Sequence, residues 1–193
     1  MRANAIAPAA HGQVPRVDGH PPSWRELAAT WAVLVAVVLA VAAPVAALFP
    51  DAFDGPTRTL PNEPELVLSI FLNNLMLSAL PLLGGWLAGS RASSDQRGAR
   101  LSRLVFLLLP ALIVARSLFT VGAVGGSDLG WLLDAARWWL LELLALAAGV
   151  TTGLWFARRP GQRQCCGRQA TGRALGVIVC ALAAGALIEV LSA

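Results

Sequence analysis

Residues 29–49 have the sequence ATWAVLVAVVLAVAAPVAALF, and no charged side chain interrupts this apolar run. A bilayer core is about 30 Å thick, and a helix of about 20 apolar residues crosses it. The stretch therefore predicts a transmembrane helix. A signal peptide has an apolar part of only about 7–15 residues after a short basic start. Because a long polar segment precedes this longer apolar run, we expect no cleavage here.

Four later segments have the same character, and they follow one another with short polar connections. The whole chain is 56% hydrophobic and 13% charged, whereas a soluble domain carries about 25% charged residues. This composition argues against both a soluble globular enzyme and a disordered chain. The sequence predicts an all-α fold, a polytopic transmembrane helix bundle of about five spans. The predicted spans are residues 29–49, 66–89, 104–124, 138–157 and 174–191.

The arginines predict the orientation of these spans. All fifteen basic residues are arginine, and twelve of them fall in the N-terminal segment and in the second and fourth connections. Positive residues are retained in the cytoplasm, so the N-terminus is predicted inside and the C-terminus outside, in a bacterial plasma membrane. Residues 1–28 are predicted to form a disordered cytoplasmic tail, and residues 29–193 the transmembrane domain. Topology thus explains the basic excess, and we expect no nucleic-acid partner.

Five polar residues inside the predicted spans form the candidate site. Ionisable and amide side chains are costly at this depth, and they are usually paired or functional. With a rise of about 1.5 Å per helical residue, all five residues are predicted to lie in the outer half of the bilayer, on four different helices. The candidate intramembrane polar cluster consists of Asn73, Asn74, Arg116, Glu142 and Glu189.

An ion pair is the simplest expectation for this cluster. Arg116 can offset its insertion cost by pairing with either Glu142 or Glu189, and the sequence does not distinguish the two. Interhelical polar contacts often only lock a bundle together, and both glutamates could also extend to the outer interface. Packing or assembly is therefore preferred over proton relay or catalysis as the role of this cluster.

Small residues predict where helices approach closely. GxxxG spacing allows two backbones to come into contact, and residues that recur at helical spacing share one face. Glu142 lies on the same face of its span as Gly149, so the polar and small residues are predicted to point together into the bundle. The glycines predicted to mediate helix packing are Gly85, Gly89, Gly149, Gly153 and Gly185.

Motifs for catalysis, metals and cofactors are not found in the sequence. There is no HExxH, GxSxG or Walker motif, and both histidines lie in the N-terminal tail. Cys165 and Cys166 lack nearby histidine or acidic residues, and they are interpreted as free thiols. We therefore expect no cofactor, no bound metal and no enzymatic activity.

Three stretches resemble the stage II sporulation protein M family of bacterial membrane proteins. Residues 70–75 (IFLNNL), followed by Gly84 and Gly85, resemble its asparagine-containing helix. Residues 140–149 (LLELLALAAG) resemble its glutamate-containing helix, and residues 186–190 (ALIEV) its closing segment. The family's His-Gly pair is replaced here by Trp138 and Trp139.

This resemblance, which covers about residues 65–193, implies a non-enzymatic scaffold of the cell envelope. Such a scaffold would recruit or position partners during envelope remodelling. The alternative is a membrane subunit of a transport or peptide-export system, which would use the polar cluster as part of its pathway. Under either hypothesis the expected partners are membrane lipids and other membrane proteins or a second copy of the chain.

Overall fold

The computed structural model describes residues 20–49, 64–90, 97–158 and 163–192. These residues form six helices and no strand, which confirms the predicted all-α fold. Five of the helices are long and apolar enough to cross a membrane. The bounds are α1 Trp24–Leu48, α2 Pro64–Ser90, α3 Arg97–Ser127, α4 Leu129–Asp134, α5 Ala136–Arg158 and α6 Arg163–Ser192.

The first helix starts earlier than the sequence predicted. Residues 24–28, which the sequence predicts as part of the N-terminal tail, form the first turn of α1. The cause is a capping box: the Glu26 amide donates to the Ser23 hydroxyl at 3.3 Å, and the Ser23 amide donates to the Glu26 carboxylate at 2.7 Å. Each bond satisfies a backbone donor that a helix start leaves without an intrahelical partner. Residues 1–19 of the predicted tail lie outside the described part of the chain.

Helix α5 forms the centre of the bundle. In its apolar segment 67% of the residues are buried, compared with 33% or fewer in each of the other four candidate spans. It contacts α1, α2 and α6 directly. The largest buried cluster includes Trp139, Leu143 and Leu146 of α5 together with Val38 of α1 and Ile178 of α6. Residues on α5 are therefore best placed to hold the helices together.

Helices α1 and α3 run in the same direction and pack through glycine. A Cβ atom on Gly122 would lie 2.8 Å from the Val38 carbonyl oxygen, and one on Gly126 would lie 2.5 Å from the Ala42 carbonyl oxygen. Residue numbers rise together along both helices, so the two are parallel. This is the arrangement that a first and a third membrane crossing require.

Helix α4 is a short element that the hydropathy pattern did not predict. It has six residues, too few to cross a bilayer, and it connects α3 to α5. The buried indole of Trp139 donates its N–H to the Leu132 carbonyl of α4 at 3.0 Å. This bond fixes the short helix against the start of α5.

Polar contacts also connect α1 to α5. The Trp31 indole donates to the Leu140 carbonyl at 3.0 Å, and the Thr151 hydroxyl donates to the Thr30 hydroxyl at 2.9 Å. Bonds of this kind between spans replace water, which the hydrocarbon core lacks. The two threonines are far apart in the chain, so no local sequence pattern predicts their hydrogen bond.

Candidate functional site

The candidate site depends on how closely α2 and α5 approach each other. A Cβ atom built on Gly149 would lie inside the van der Waals radius of the Ser78 carbonyl oxygen. The same is true of Gly153 against the Pro81 carbonyl oxygen, and of Gly85 against the backbone of Gly153. Only residues without a Cβ allow this backbone contact. The two helices are therefore held in one register by their glycines.

This register places one asparagine opposite one glutamate. On α2, Asn74 lies four residues before Ser78; on α5, Glu142 lies seven residues before Gly149. These are helical spacings, so each polar residue shares a face with the backbone contact beyond it. Helices α2 and α5 are parallel. On the N-terminal side of the Ser78–Gly149 contact, Asn74 of α2 therefore lies opposite Glu142 of α5.

The structure shows the resulting hydrogen bonds. The Asn74 amide, through Nδ2, donates to Oε1 of Glu142, which is half-buried. The Asn73 amide in turn donates to Oδ1 of Asn74 at 3.4 Å. The two asparagines and the glutamate thus form a short chain of hydrogen bonds across the α2–α5 contact. An amide partner stabilises a carboxylate that would otherwise be exposed to hydrocarbon.

The structure does not show the predicted pairing of Arg116 with Glu142. Both side chains belong to the described part of the chain, and the partner that the structure shows at Oε1 of Glu142 is the Asn74 amide. Arg116 lies on α3 and is exposed, whereas Glu142 faces α2 because the glycine contact turns it that way. Glu189 belongs to α6, but its side chain lies outside the described part of the structure.

A cleft of about 490 Å³ between α2, α3 and α5 brings four of the five predicted polar residues together. Its deep wall is apolar and is formed by buried Trp139, Leu143 and Leu146. The polar residues at the cleft are Asn73, Asn74, Ser78, Arg116, Ser117, Thr120 and Glu142.

The hydroxyl groups of this cleft differ in whether they already donate a hydrogen bond. Ser117 and Thr120 donate to carbonyls of their own helix, Ile113 at 3.0 Å and Arg116 at 3.0 Å. Ser78 is only 2% exposed, and its hydroxyl has no hydrogen-bond partner among the described residues. Ser78 was missed in the sequence, although its position four residues after Asn74 places it on the same face.

The other glycines predicted to mediate packing have varied surroundings. Gly89 is buried near the end of α2. A Cβ on Gly185 would lie 3.6 Å from the Trp138 carbonyl oxygen, which is an ordinary contact. Gly185 therefore tolerates a methyl group, unlike Gly149 and Gly153.

The donor set suits hydrogen bonding rather than metal binding. Within the described ranges no three histidine, cysteine, aspartate or glutamate residues come close enough to hold a metal ion. The arrangement instead offers a guanidinium, two amides and a carboxylate at one cleft between helices. Such a set can bind polar groups of a ligand or of another membrane protein.

No family model matches the chain, and no curated protein or solved structure is significantly similar to it. The resemblance to the stage II sporulation protein M family therefore stays a prediction from the short stretches in α2, α5 and α6. The site must be interpreted from its own geometry.

Proposed function

We propose that this multi-pass membrane protein is a non-enzymatic scaffold whose cleft between α2, α3 and α5 binds a partner membrane protein. The resemblance to the stage II sporulation protein M family extends this proposal to recruitment of partners in cell-envelope remodelling. The exposure of Arg116 and Asn73 within candidate membrane spans carries the proposal.

Arg116 lies eleven residues before the end of α3, at Ser127, which places it about 16 Å from that end. A charged residue facing hydrocarbon at the centre of a helix costs about 2.5–3.5 kcal/mol on insertion scales. A partner that supplies a carboxylate or carbonyl to the guanidinium offsets this cost. The polar chain formed by Asn73, Asn74 and Glu142 is held at the same cleft and offers further hydrogen bonds to that partner.

The tight α2–α5 contact suits a scaffold. Its glycines fix the backbone around the cleft, so the polar groups are held in place before a partner arrives. A preorganised surface loses less conformational entropy when it binds. The partner is another membrane protein or a second copy of this chain.

Cross-linking from inside the cleft tests the proposal. A photo-reactive amino acid at position 73 is expected to form a discrete adduct with one membrane protein in cells. The matched control is position 72, where Leu72 is 48% exposed but does not line the cleft. Arg116→Leu should abolish the adduct from position 73. Equal adducts from both positions, or an adduct that persists in Arg116→Leu, would contradict the scaffold; an adduct of twice the chain mass would identify a second copy as the partner.

The orientation proposed for the scaffold follows from the arginines, with the N-terminus in the cytoplasm and the C-terminus outside. Arg25, Arg103 and Arg158 lie at helix ends that the parallel packing assigns to one side of the bundle. In a variant without its three native cysteines, a cysteine at Thr57 is expected to react with an impermeant maleimide added to intact cells. Labelling that requires permeabilised cells would reverse the orientation.

The alternative function is a membrane subunit of a transport or peptide-export system. The polar lining of the cleft, about 490 Å³ in volume, favours this candidate because a passage needs both space and polar groups. The variant Glu142→Gln distinguishes the two proposed functions. A transport subunit would assemble normally and lose flux, whereas a scaffold would lose its cross-linked partner.

A further inference from the structure

A second cavity lies between α1, α2, α3 and α5 and is open to the surface of the bundle; Leu118 separates it from the polar cleft and lines both. Its volume is about 590 Å³, and apolar side chains dominate its lining. Pro81 and Gly85 of α2, Pro110 of α3 and Gly153 of α5 contribute to its walls. These residues have no large side chain to fill the space that is left between α3 and α5.

Water is a poor occupant of this cavity. A bound water needs two to four polar partners, and the apolar lining offers few of them. An empty cavity is also unfavourable, because its lining atoms lose dispersion contacts. The cavity is bounded by candidate membrane spans, so the apolar molecules nearest to it are lipid acyl chains.

A positive charge lies at one end of the cavity. Arg103 is one turn before the lining residues Phe106 and Leu107 on α3, and its Nη2 donates to the Ala157 carbonyl at 2.8 Å. Ala157 is one turn beyond the lining residue Leu154 on α5. The bond therefore holds the guanidinium between the N-terminal part of α3 and the C-terminal end of α5, next to this end of the apolar cavity.

Most hydrogen-bonding capacity of this guanidinium remains available. An arginine side chain has five N–H donors, and the Ala157 carbonyl is the partner of Arg103 among the described residues. Arg158, which is exposed, follows Ala157 and adds a second positive charge at the same end. A guanidinium held in this way suits a phosphate, and basic sites between spans bind anionic headgroups.

We propose that this cavity binds an anionic phospholipid, with one acyl chain between α2, α3 and α5 and the phosphate on Arg103. Charge complementarity at Arg103 and Arg158 selects an anionic over a zwitterionic headgroup, and the apolar lining holds the chain. The lipid would restore the contacts that α3 lacks along α5. This site is independent of the proposed scaffold function, because it shares no polar residue with the cleft.

Native mass spectrometry of the purified full-length protein tests the proposal. The protein is incubated with phosphatidylglycerol or with phosphatidylcholine of identical acyl chains. Wild type is expected to retain phosphatidylglycerol preferentially. Arg103→Gln should reduce that preference roughly tenfold, which corresponds to loss of one hydrogen bond to a charged group. The matched control is Arg25→Gln, which removes an exposed arginine of α1 and should keep the preference.

Filling the cavity provides a second variant that does not touch Arg103. Ala115 lines the cavity from α3, so Ala115→Phe should reduce retention of both lipids. Ala43→Phe places the same side chain on an exposed position of α1 and should leave retention unchanged. If Arg103→Gln does not fold, Arg103→Lys, which keeps the charge, should retain the preference. Equal retention of the two lipids by wild type, or full retention by Ala115→Phe, would overturn the proposal, as would a dimer that Ala115→Phe dissociates.

Discussion

Gly149→Ala is expected to destabilise the folded bundle by about 1–3 kcal/mol, the range observed for overpacked cores. The added Cβ would overlap the Ser78 carbonyl oxygen, a backbone atom that cannot move away without separating α2 from α5. The sign of this change in stability is informative, because replacing glycine by alanine in an isolated helix stabilises that helix by about 1 kcal/mol. Thermal unfolding in detergent, followed by circular dichroism, measures the effect.

The matched control for Gly149→Ala is Gly176→Ala in α6. A Cβ atom on Gly176 would meet no other atom within 4 Å. This variant should therefore be neutral or stabilised, by up to about 1 kcal/mol. If the two variants melt at the same temperature, the α2–α5 contact does not determine the stability of the bundle, and the register of the polar cleft must have another origin.

Asn74→Leu is expected to produce the second large effect, a destabilisation of about 1–3 kcal/mol. The Glu142 carboxylate would lose the amide that donates to it across α2 and α5. A double-mutant cycle with Glu142→Leu should give a coupling energy of about 1–2 kcal/mol, at the upper end of the range for interhelical hydrogen bonds. Unfolding of the four proteins in the same detergent provides this value.

Arg116 provides the control for this cycle. Because the Asn74 amide is the partner shown at Oε1 of Glu142, Arg116→Leu and Glu142→Leu should show a smaller coupling energy than Asn74→Leu and Glu142→Leu. Arg116→Leu is also expected to leave stability unchanged or raised, since it removes an exposed charge from a span. If Arg116 had a larger coupling energy with Glu142 than Asn74 has, the ion pair that the sequence predicts would be supported.

These predictions separate stability from function. Gly149→Ala and Asn74→Leu act on the α2–α5 contact, so they should lower both stability and cross-linking from the cleft. Arg116→Leu should abolish cross-linking while the bundle remains folded. That combination is expected of a side chain that faces a partner rather than the interior of its own chain.

Much of the helical architecture was predictable from the sequence, because apolar runs of span length are local features. The structure confirms five long apolar helices. The Ser23 capping box could also have been found locally, since Ser23 and Glu26 have the spacing of that motif. Helix α4 was missed because its six residues are too few for a hydropathy window to distinguish them from a loop.

The candidate site was only partly predictable. Polar residues inside apolar runs indicate which side chains belong to the site. The cleft brings four of them together, Asn73, Asn74, Arg116 and Glu142. The partner of Glu142 was not predictable, because charge alone favoured Arg116. Ser78 escaped notice because a serine in an apolar helix is unremarkable until a glycine on another helix contacts its carbonyl group.

The number of spans and the residues that must avoid lipid follow from the order of amino acids alone, because both depend on transfer energies that add residue by residue along a helix. The contact of Glu142 with Asn74, and the exposure of Arg116 at the cleft, follow instead from the packing of the helices. Which partner Glu142 contacts depends on the direction in which the face of α5 that carries Glu142 and Gly149 points. The backbone contact of Gly149 and Gly153 with α2 sets this direction, and these residues are separated from α2 by more than fifty positions in the chain.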